Sequence, residues 1–263
     1  MSSPKRPTSQ RRPVRVALPL CLALARALAL ALTLATPTLA ESPWRLDVEL
    51  GPAWQTRNDF AVPGEGGTRL DLGSTGAVPA ARVTLTRDLG ERWSFRLLAA
   101  PLATETGFVP DRAVDFDGTL FPAGQPLTQE FRFDSYRFSF FYRFPTDGPW
   151  SFRAGATGKV RSADIRLSGA GRSASRDDLG FVPLLYGGAR YDAAGPLAFD
   201  AELDAAGASQ GRAIDLSLRL ELPGTDRLRP YVGYRLLDGG ADNEEVRTFA
   251  TFHYLLAGAR LRL

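Results

Sequence analysis

The residues that could carry chemistry in this 263-residue chain are few in kind. His253 is the single histidine, and its neighbours are Phe252, Tyr254 and Leu255. Acyl transfer by a nucleophile needs a hydroxyl, an imidazole and an acid within hydrogen-bond reach, and the sequence spells out no such grouping. The single cysteine, Cys21, lies in an apolar N-terminal run, so residues 41–263 offer neither disulfides nor thiolate metal ligands. Two acidic stretches could present oxygens to a divalent cation: Asp111, Asp115 and Asp117 before Gly118, and Asp238, Asp242, Glu244 and Glu245. Their spacing matches no calcium loop, and solvated loop ends with Asp-Gly turns account for them. No catalytic residue, metal or cofactor is predicted.

What the sequence supplies in quantity is charge in alternation. Residues 214–222 read Ile-Asp-Leu-Ser-Leu-Arg-Leu-Glu-Leu, with aliphatic residues at every second position. A β-strand sends successive side chains to opposite faces, so this stretch has one greasy and one wet face, whereas a helix would smear them around. The same period predicts ten strands: 44–55, 78–89, 93–100, 135–144, 150–161, 181–191, 197–204, 214–222, 229–237, and a tenth that contains His253 and runs to Leu263. Short turns fall at 88–91, 145–149, 192–196 and 223–227. Longer loops are expected at 56–77, 104–129, 167–180 and 238–245, with an intermediate one at 206–212. The 104–129 segment holds Phe108, Val109, Val114, Phe116, Leu120 and Phe121, too apolar for a solvated loop, and is expected to form a hairpin or fold over a mouth.

The N-terminus reads as an export signal. Lys5, Arg6, Arg11, Arg12 and Arg15 precede an apolar run over 16–35, and Thr38-Leu39-Ala40 places cleavage after Ala40. Six of the 32 basic residues and none of the 29 acidic ones fall in residues 1–40. The remaining 26 against 29 turn a formal +3 into −3, so charge gives nucleic-acid binding no support. No 18-residue apolar run follows Ala40, so no later transmembrane helix is expected.

Alternation alone does not say which face is inside. Trp44, Trp93 and Trp150 open strands on the greasy face at the short-turn end, and Tyr142, Phe144 and Tyr191 close strands there. Trp54 lies ten residues above Trp44, roughly 25 Å for a tilted strand, which is the height of an outer-membrane apolar band. These seven form the predicted aromatic girdle. Pro52, Pro79, Pro101 and Pro183 fall near the long-loop ends, where a lost ladder donor is tolerated.

Residues 41–263 thus resemble the small outer-membrane β-barrels of Gram-negative bacteria. Leu263 and the apolar residues at 255, 257, 259 and 261 resemble their C-terminal assembly signal, with leucine in place of the usual terminal aromatic. The resemblance implies an all-β, antiparallel up-and-down transmembrane barrel of about ten strands. Short turns would face the periplasm and longer loops the outside. It implies residence in the outer membrane, with lipid, lipopolysaccharide and the barrel assembly machinery as partners and no nucleic acid. The wet face would line a charged, Arg-rich lumen: Asp47, Glu49, Arg82, Arg96, Arg137, Arg153, Lys159, Arg161, Arg190, Asp200, Glu202, Asp204, Asp215, Arg219, Glu221, Arg235 and Arg260. The expected role is non-enzymatic, either structural, with salt bridges filling the lumen, or porin-like, as a narrow passage for small solutes. Two other readings stay open: a surface module binding a ligand or lipopolysaccharide through its loops, and a soluble periplasmic barrel with the leucines inside.

Overall fold

Period-two alternation becomes a continuous antiparallel ladder in the computed structural model, which describes residues 43–209 and 211–263. The predicted signal peptide of residues 1–40 lies outside the described residues. The elements are β1 (Trp44–Ala61), β2 (Leu70–Asp71), β3 (Val78–Leu89), β4 (Trp93–Ala100), β5 (Ala103–Phe108), β6 (Val114–Phe116) and β7 (Thr119–Phe121). They continue with β8 (Leu127–Phe144), β9 (Trp150–Gly169), β10 (Arg172–Asp192), β11 (Ala198–Ala208), β12 (Gly211–Glu221), β13 (Leu228–Asp242) and β14 (Arg247–Arg262).

The main sheet runs β14-β13-β12-β11-β10-β9-β8-β4-β3-β1, and β14 pairs with β1. That pairing closes ten wall strands into a barrel, which leaves no edge exposed around its lower part. Near the closing seam the register sets Asp47 opposite Arg260 and Val48 opposite Ala259. β5 continues the β4 position along the upper part of β8, and β6 and β7 form a separate hairpin.

In the lower two-thirds of the wall the leucines and aromatics point outward. Leu50, Leu97, Phe138, Phe140, Phe152, Phe199, Leu203, Leu218 and Val232 are all exposed on the outer surface, while Ser217, between Leu216 and Leu218, is buried. This polarity belongs to a barrel in lipid, because a soluble barrel would bury the leucines. At the short-turn rim Trp93 stacks on Phe140 with centroids 4.7 Å apart, and Tyr142 meets Trp93 edge-on at 5.0 Å. Trp150 stacks on Phe152 and packs against Tyr191, and Tyr142 against Phe144. The Arg87 guanidinium lies over Trp44. Trp54 stands apart from this lower band and stacks on His253.

Higher up, the polarity inverts. On β8 the inward series passes from Ser135 to Phe131 and Leu127, while Arg132 and Glu130 turn outward. On β9 the inward series Lys159, Arg161 gives way to Ile165 and Leu167, with Arg166 outside. Above the bilayer the outer face meets water, so the hydrophobic effect drives apolar side chains inward as in a soluble sandwich. Trp150 to Arg161 is eleven residues, roughly 28 Å along a tilted strand, so the inversion marks the outer boundary of the apolar band.

The expected loops at 56–77 and 167–180 need correction. β1 continues to Ala61, and β9 and β10 run on to a tight turn at Gly169-Ala170-Gly171. On β1 and β10 both faces of the extension carry polar residues and period two fades from the sequence, while on β9 residues 162–168 keep the period with its sides exchanged. The outer connections between β11 and β12 and at 243–246 are likewise short, and those around 62–77 and 101–126 are long. Residues 114–121 do fold over the mouth. Asp117 N–H donates to the Val62 carbonyl at 2.8 Å, and Asp115 N–H to Thr68 Oγ1 at 2.9 Å. Val114, Phe116 and Phe121 are fully buried against Phe60, Val62 and Leu127.

Candidate functional site in the barrel interior

The inward side chains build two storeys of opposite chemistry. The lower storey is a polar cavity of about 400 Å³ lined by β1, β3, β4 and β8–β14. Of the predicted lumen residues, Asp47, Glu49, Arg82, Arg96, Arg153, Arg190, Asp200, Glu202, Asp204, Asp215, Arg219, Glu221, Arg235 and Arg260 line this cavity. Arg137 joins it through its ion pairs, and Lys159 and Arg161 lie higher, against a second cavity.

All seven of the predicted lumen carboxylates are paired. Asp215 accepts from Arg82 at 3.1 Å, Arg137 at 2.6 Å and Arg235 at 3.1 Å. Glu202 holds Arg96 at 2.6 Å, Arg153 at 3.4 Å and Arg219, and accepts the Tyr186 hydroxyl at 2.7 Å. Asp200 pairs with Arg153 at 2.6 Å, Glu49 with Arg235 at 2.6 Å, and Asp47 with Arg260 at 2.9 Å. Glu221 bridges Arg190 and Arg260. Asp204 and Asp215 sit directly opposite one another in the β11–β12 ladder, an arrangement that repels. Arg137 resolves it by reaching both, Asp204 at 2.8 Å and Asp215 at 2.6 Å. Arg219 stands at the centre, within 4.0 Å of Asp47, Glu49, Asp200 and Glu202. Such buried pairs offset one another's desolvation only when the network is nearly complete.

Sequence reasoning passed over several members. Phe141, Tyr186 and Tyr231 are buried on the lumen face, and the Arg96 guanidinium lies between the Phe141 and Tyr186 rings at 5.0 and 5.1 Å. Strand parity would have placed all three inward. Tyr231 packs where Gly258 has no side chain, since a Cβ there would meet the ring at 2.6 Å. Asp88, at the short-turn rim, gathers Arg45, Arg143 at 3.2 Å and the Ser94 hydroxyl at 2.8 Å.

The upper storey is apolar. Phe131 stacks on Phe252 at 6.1 Å, and Phe60 meets Phe116 edge-on at 6.2 Å. Asn58 donates to Gln129 at 2.9 Å within this layer. Above Trp54, and outside the membrane-spanning part of β1, Asp59 is ringed by Arg69 at 2.8 Å, Arg57 at 3.4 Å and Arg247 at 3.7 Å. Burial pushes the Asp59 carboxyl up, but the hydrogen bonds and charges of these arginines outweigh it and hold it below the usual carboxylate range.

His253 faces outward. Its Nε2 meets Thr56 Oγ1 at 3.0 Å and its Nδ1 meets the Tyr234 hydroxyl at 2.5 Å. No carboxylate orients the ring among the described residues, and no group of three or more His, Cys, Asp or Glu among them is arranged to hold a metal ion.

A closed ten-stranded antiparallel barrel with lipid-facing leucines, a basal aromatic girdle and a polar interior has the fold of the outer-membrane β-barrels of Gram-negative bacteria. Among solved structures, the outer membrane protease OmpT from Escherichia coli matches with a TM-score of 0.55 at 8% identity, over 87% of this chain and 99% of that one. The transport unit of the autotransporter AIDA-I from Escherichia coli matches at 0.46 and 8% identity, over 91% and 97% of the two chains. Neisserial surface protein A matches at 0.37 and 13% identity, over 84% and 98%. No protein-family model matches the sequence, and no curated protein does.

Proposed function

We propose that this chain is an integral outer-membrane barrel of non-enzymatic, closed type, a structural component of the envelope whose partners are lipid and lipopolysaccharide. One observation carries the reading: an ion-paired lower lumen lies beneath an apolar layer and the 114–121 hairpin. A hydrated ion crossing the barrel would have to break the paired charges and then pass a dry layer of phenylalanines, each step opposed by desolvation. His253 is engaged by Thr56 and Tyr234 on the outer face, away from the lumen acids, an arrangement that suits a packing role. Export by a signal cleaved after Ala40 and insertion by the barrel assembly machinery complete the reading.

Planar-bilayer recording tests it. The wild-type barrel is expected to show no steady single-channel current, and deletion of residues 111–124 is expected to produce brief openings. A stable ion-selective conductance from the wild type would overturn the closed reading.

A further inference from the structure

The wall has a gap on its outer half. β10 pairs with β9 along its whole length, from Tyr191 to Arg172, but with β11 only from Asp192 to Leu185. β11 and β12 turn back at Ala208–Gly211, so residues 172–184 of β10 have no ladder partner on that side. β12 pairs with β13 as far as Gly211 and Ala241, so on the far side only Asp242 and the turn at 243–246 stand beyond the hairpin. Across the top, Arg176 reaches Glu245 at 3.0 Å and Asp117 at 3.8 Å. The result is a window, with the unpaired edge of β10 as one side, the β11–β12 tip as its sill, and the ion pair of Arg176 with Glu245 in the 243–246 turn closing it above.

Behind the window lies the second cavity, about 530 Å³, within the roughly 300–1,000 Å³ range of small-molecule sites. Its walls include Phe131, Ile165, Leu237 and Phe252. Outside, beside the opening, Leu179, Phe181 and Leu185 are 74%, 63% and 76% exposed, so the approach to the window is apolar. Leu185 lies six residues above Tyr191, roughly 15 Å up a tilted strand, which sets the sill in the upper half of the apolar band.

Lys159 lines the same chamber. Its side chain is only 3% exposed, and its ammonium lies 4.8 Å from the Phe133 ring centroid. Among the described residues no carboxylate comes within ion-pair distance of it. The charges that act on it most strongly are Arg137, opposite it in the ladder and already committed to Asp204 and Asp215, then Asp215 itself beyond ion-pair distance, and Arg161, committed to Asp178. A buried ammonium without a counter-charge is costly, so the amine either gives up its proton or keeps it by taking an anion beside it.

We infer that this chamber binds a long-chain carboxylate, entering through the wall from the outer leaflet, with its tail against Phe131, Ile165 and Phe252 and its head group at Lys159. The arginines lining the chamber are held by acids, Arg161 by Asp178, Arg212 by Asp238 and Arg176 by Glu245, so Lys159 leaves one cation for one monovalent head, and a single chamber matches a single chain. Phospholipid or lipopolysaccharide would bring more chains and a bulkier head group than the chamber accepts.

Palmitate and hexadecanol are the probes, differing in the head group alone. Their affinity for the full chain, folded in non-ionic detergent, is measured by displacement of a fluorescent fatty acid. Wild type is expected to prefer palmitate. Lys159→Met should weaken palmitate at least tenfold and leave hexadecanol unchanged, whereas Ala213→Phe, which fills the chamber from the sill, should weaken both. Mobility of unheated samples on gels reports that each variant is folded. Equal wild-type affinity for the two probes, or wild-type palmitate affinity in folded Lys159→Met, overturns the inference. Should Lys159→Met not fold, undiminished palmitate binding by Ala213→Phe does so instead. A co-purifying phospholipid that palmitate fails to displace would also overturn it.

Discussion

Replacing Asp215 by Asn probes whether the lumen is dry enough to need its pairing. Asp215 is 6% exposed and neutralises Arg82, Arg137 and Arg235. Arg137 keeps Asp204 and Arg235 keeps Glu49, but Arg82 has no other carboxylate within ion-pair distance among the described residues. Breaking a buried pair by removing one partner costs about 3–5 kcal/mol, most of it the desolvation of the charge left behind. Arg82→Met should cost less, about 1.5–3 kcal/mol, because Asp215 retains two arginines. The double variant should lie closer to Arg82→Met than additivity predicts, with a coupling of about 1–3 kcal/mol. Urea unfolding of the barrel in lipid vesicles, followed by tryptophan fluorescence, measures all three. A loss below about 1 kcal/mol for Asp215→Asn is what a solvent-screened surface pair would give. That outcome would mean a water-filled lumen, and the closed reading would fail with it.

Other expected outcomes are briefer. Leu218→Arg places a charge on the lipid face, where Leu218 is 45% exposed, and should cost roughly 2–4 kcal/mol near the midplane, while Ser217→Ala, one residue away in the lumen, should cost under about 1 kcal/mol. Equal tolerance of both, read by heat-modifiable gel mobility, would mean that the wall is inside out. Asp59, held below the usual carboxylate range, contributes stability that is complete above its unfolded value of about 3.9 and is lost as pH falls through its lower folded value. Hydrogen exchange of residues 56–73 should therefore accelerate in that acid window, and Asp59→Asn should remove the dependence; exchange that accelerates equally in Asp59→Asn contradicts the assignment.

The parts of the fold that were legible are those where lipid and lumen impose opposite demands on neighbouring residues. Residues 214–222 could be read as a strand because each leucine and each polar side chain has its own solvent. The inward charges were legible by parity, but their partners were not: Arg219 on β12 meets acids from β1 and β11, and only closure of the barrel makes that neighbourhood. The upper barrel was hidden because its polarity inverts. Arg132 outside and Phe131 inside obey the same period as Tyr136 outside and Arg137 inside, with the signs exchanged. Lys159 was placed among the lumen charges by parity, yet it stands just below that inversion, among apolar neighbours, without the carboxylate company its fellows enjoy.

The seam between β1 and β14 has a consequence for how the cylinder is completed. Arg45, Asp47 and Glu49 face Arg262, Arg260 and Gly258. A slip of one residue would send arginines into lipid and leucines into the charged interior. A slip of two in one direction would oppose Arg45 to Arg260 and strand Asp47 against Gly258. The native alignment alone sets the gap at Gly258 opposite Glu49, where the Tyr231 hydroxyl donates to that carboxylate at 3.4 Å. The first and last wall strands therefore carry a lock and key written in side chains, and a mis-zipped seam would differ from the correct one in solvation energy.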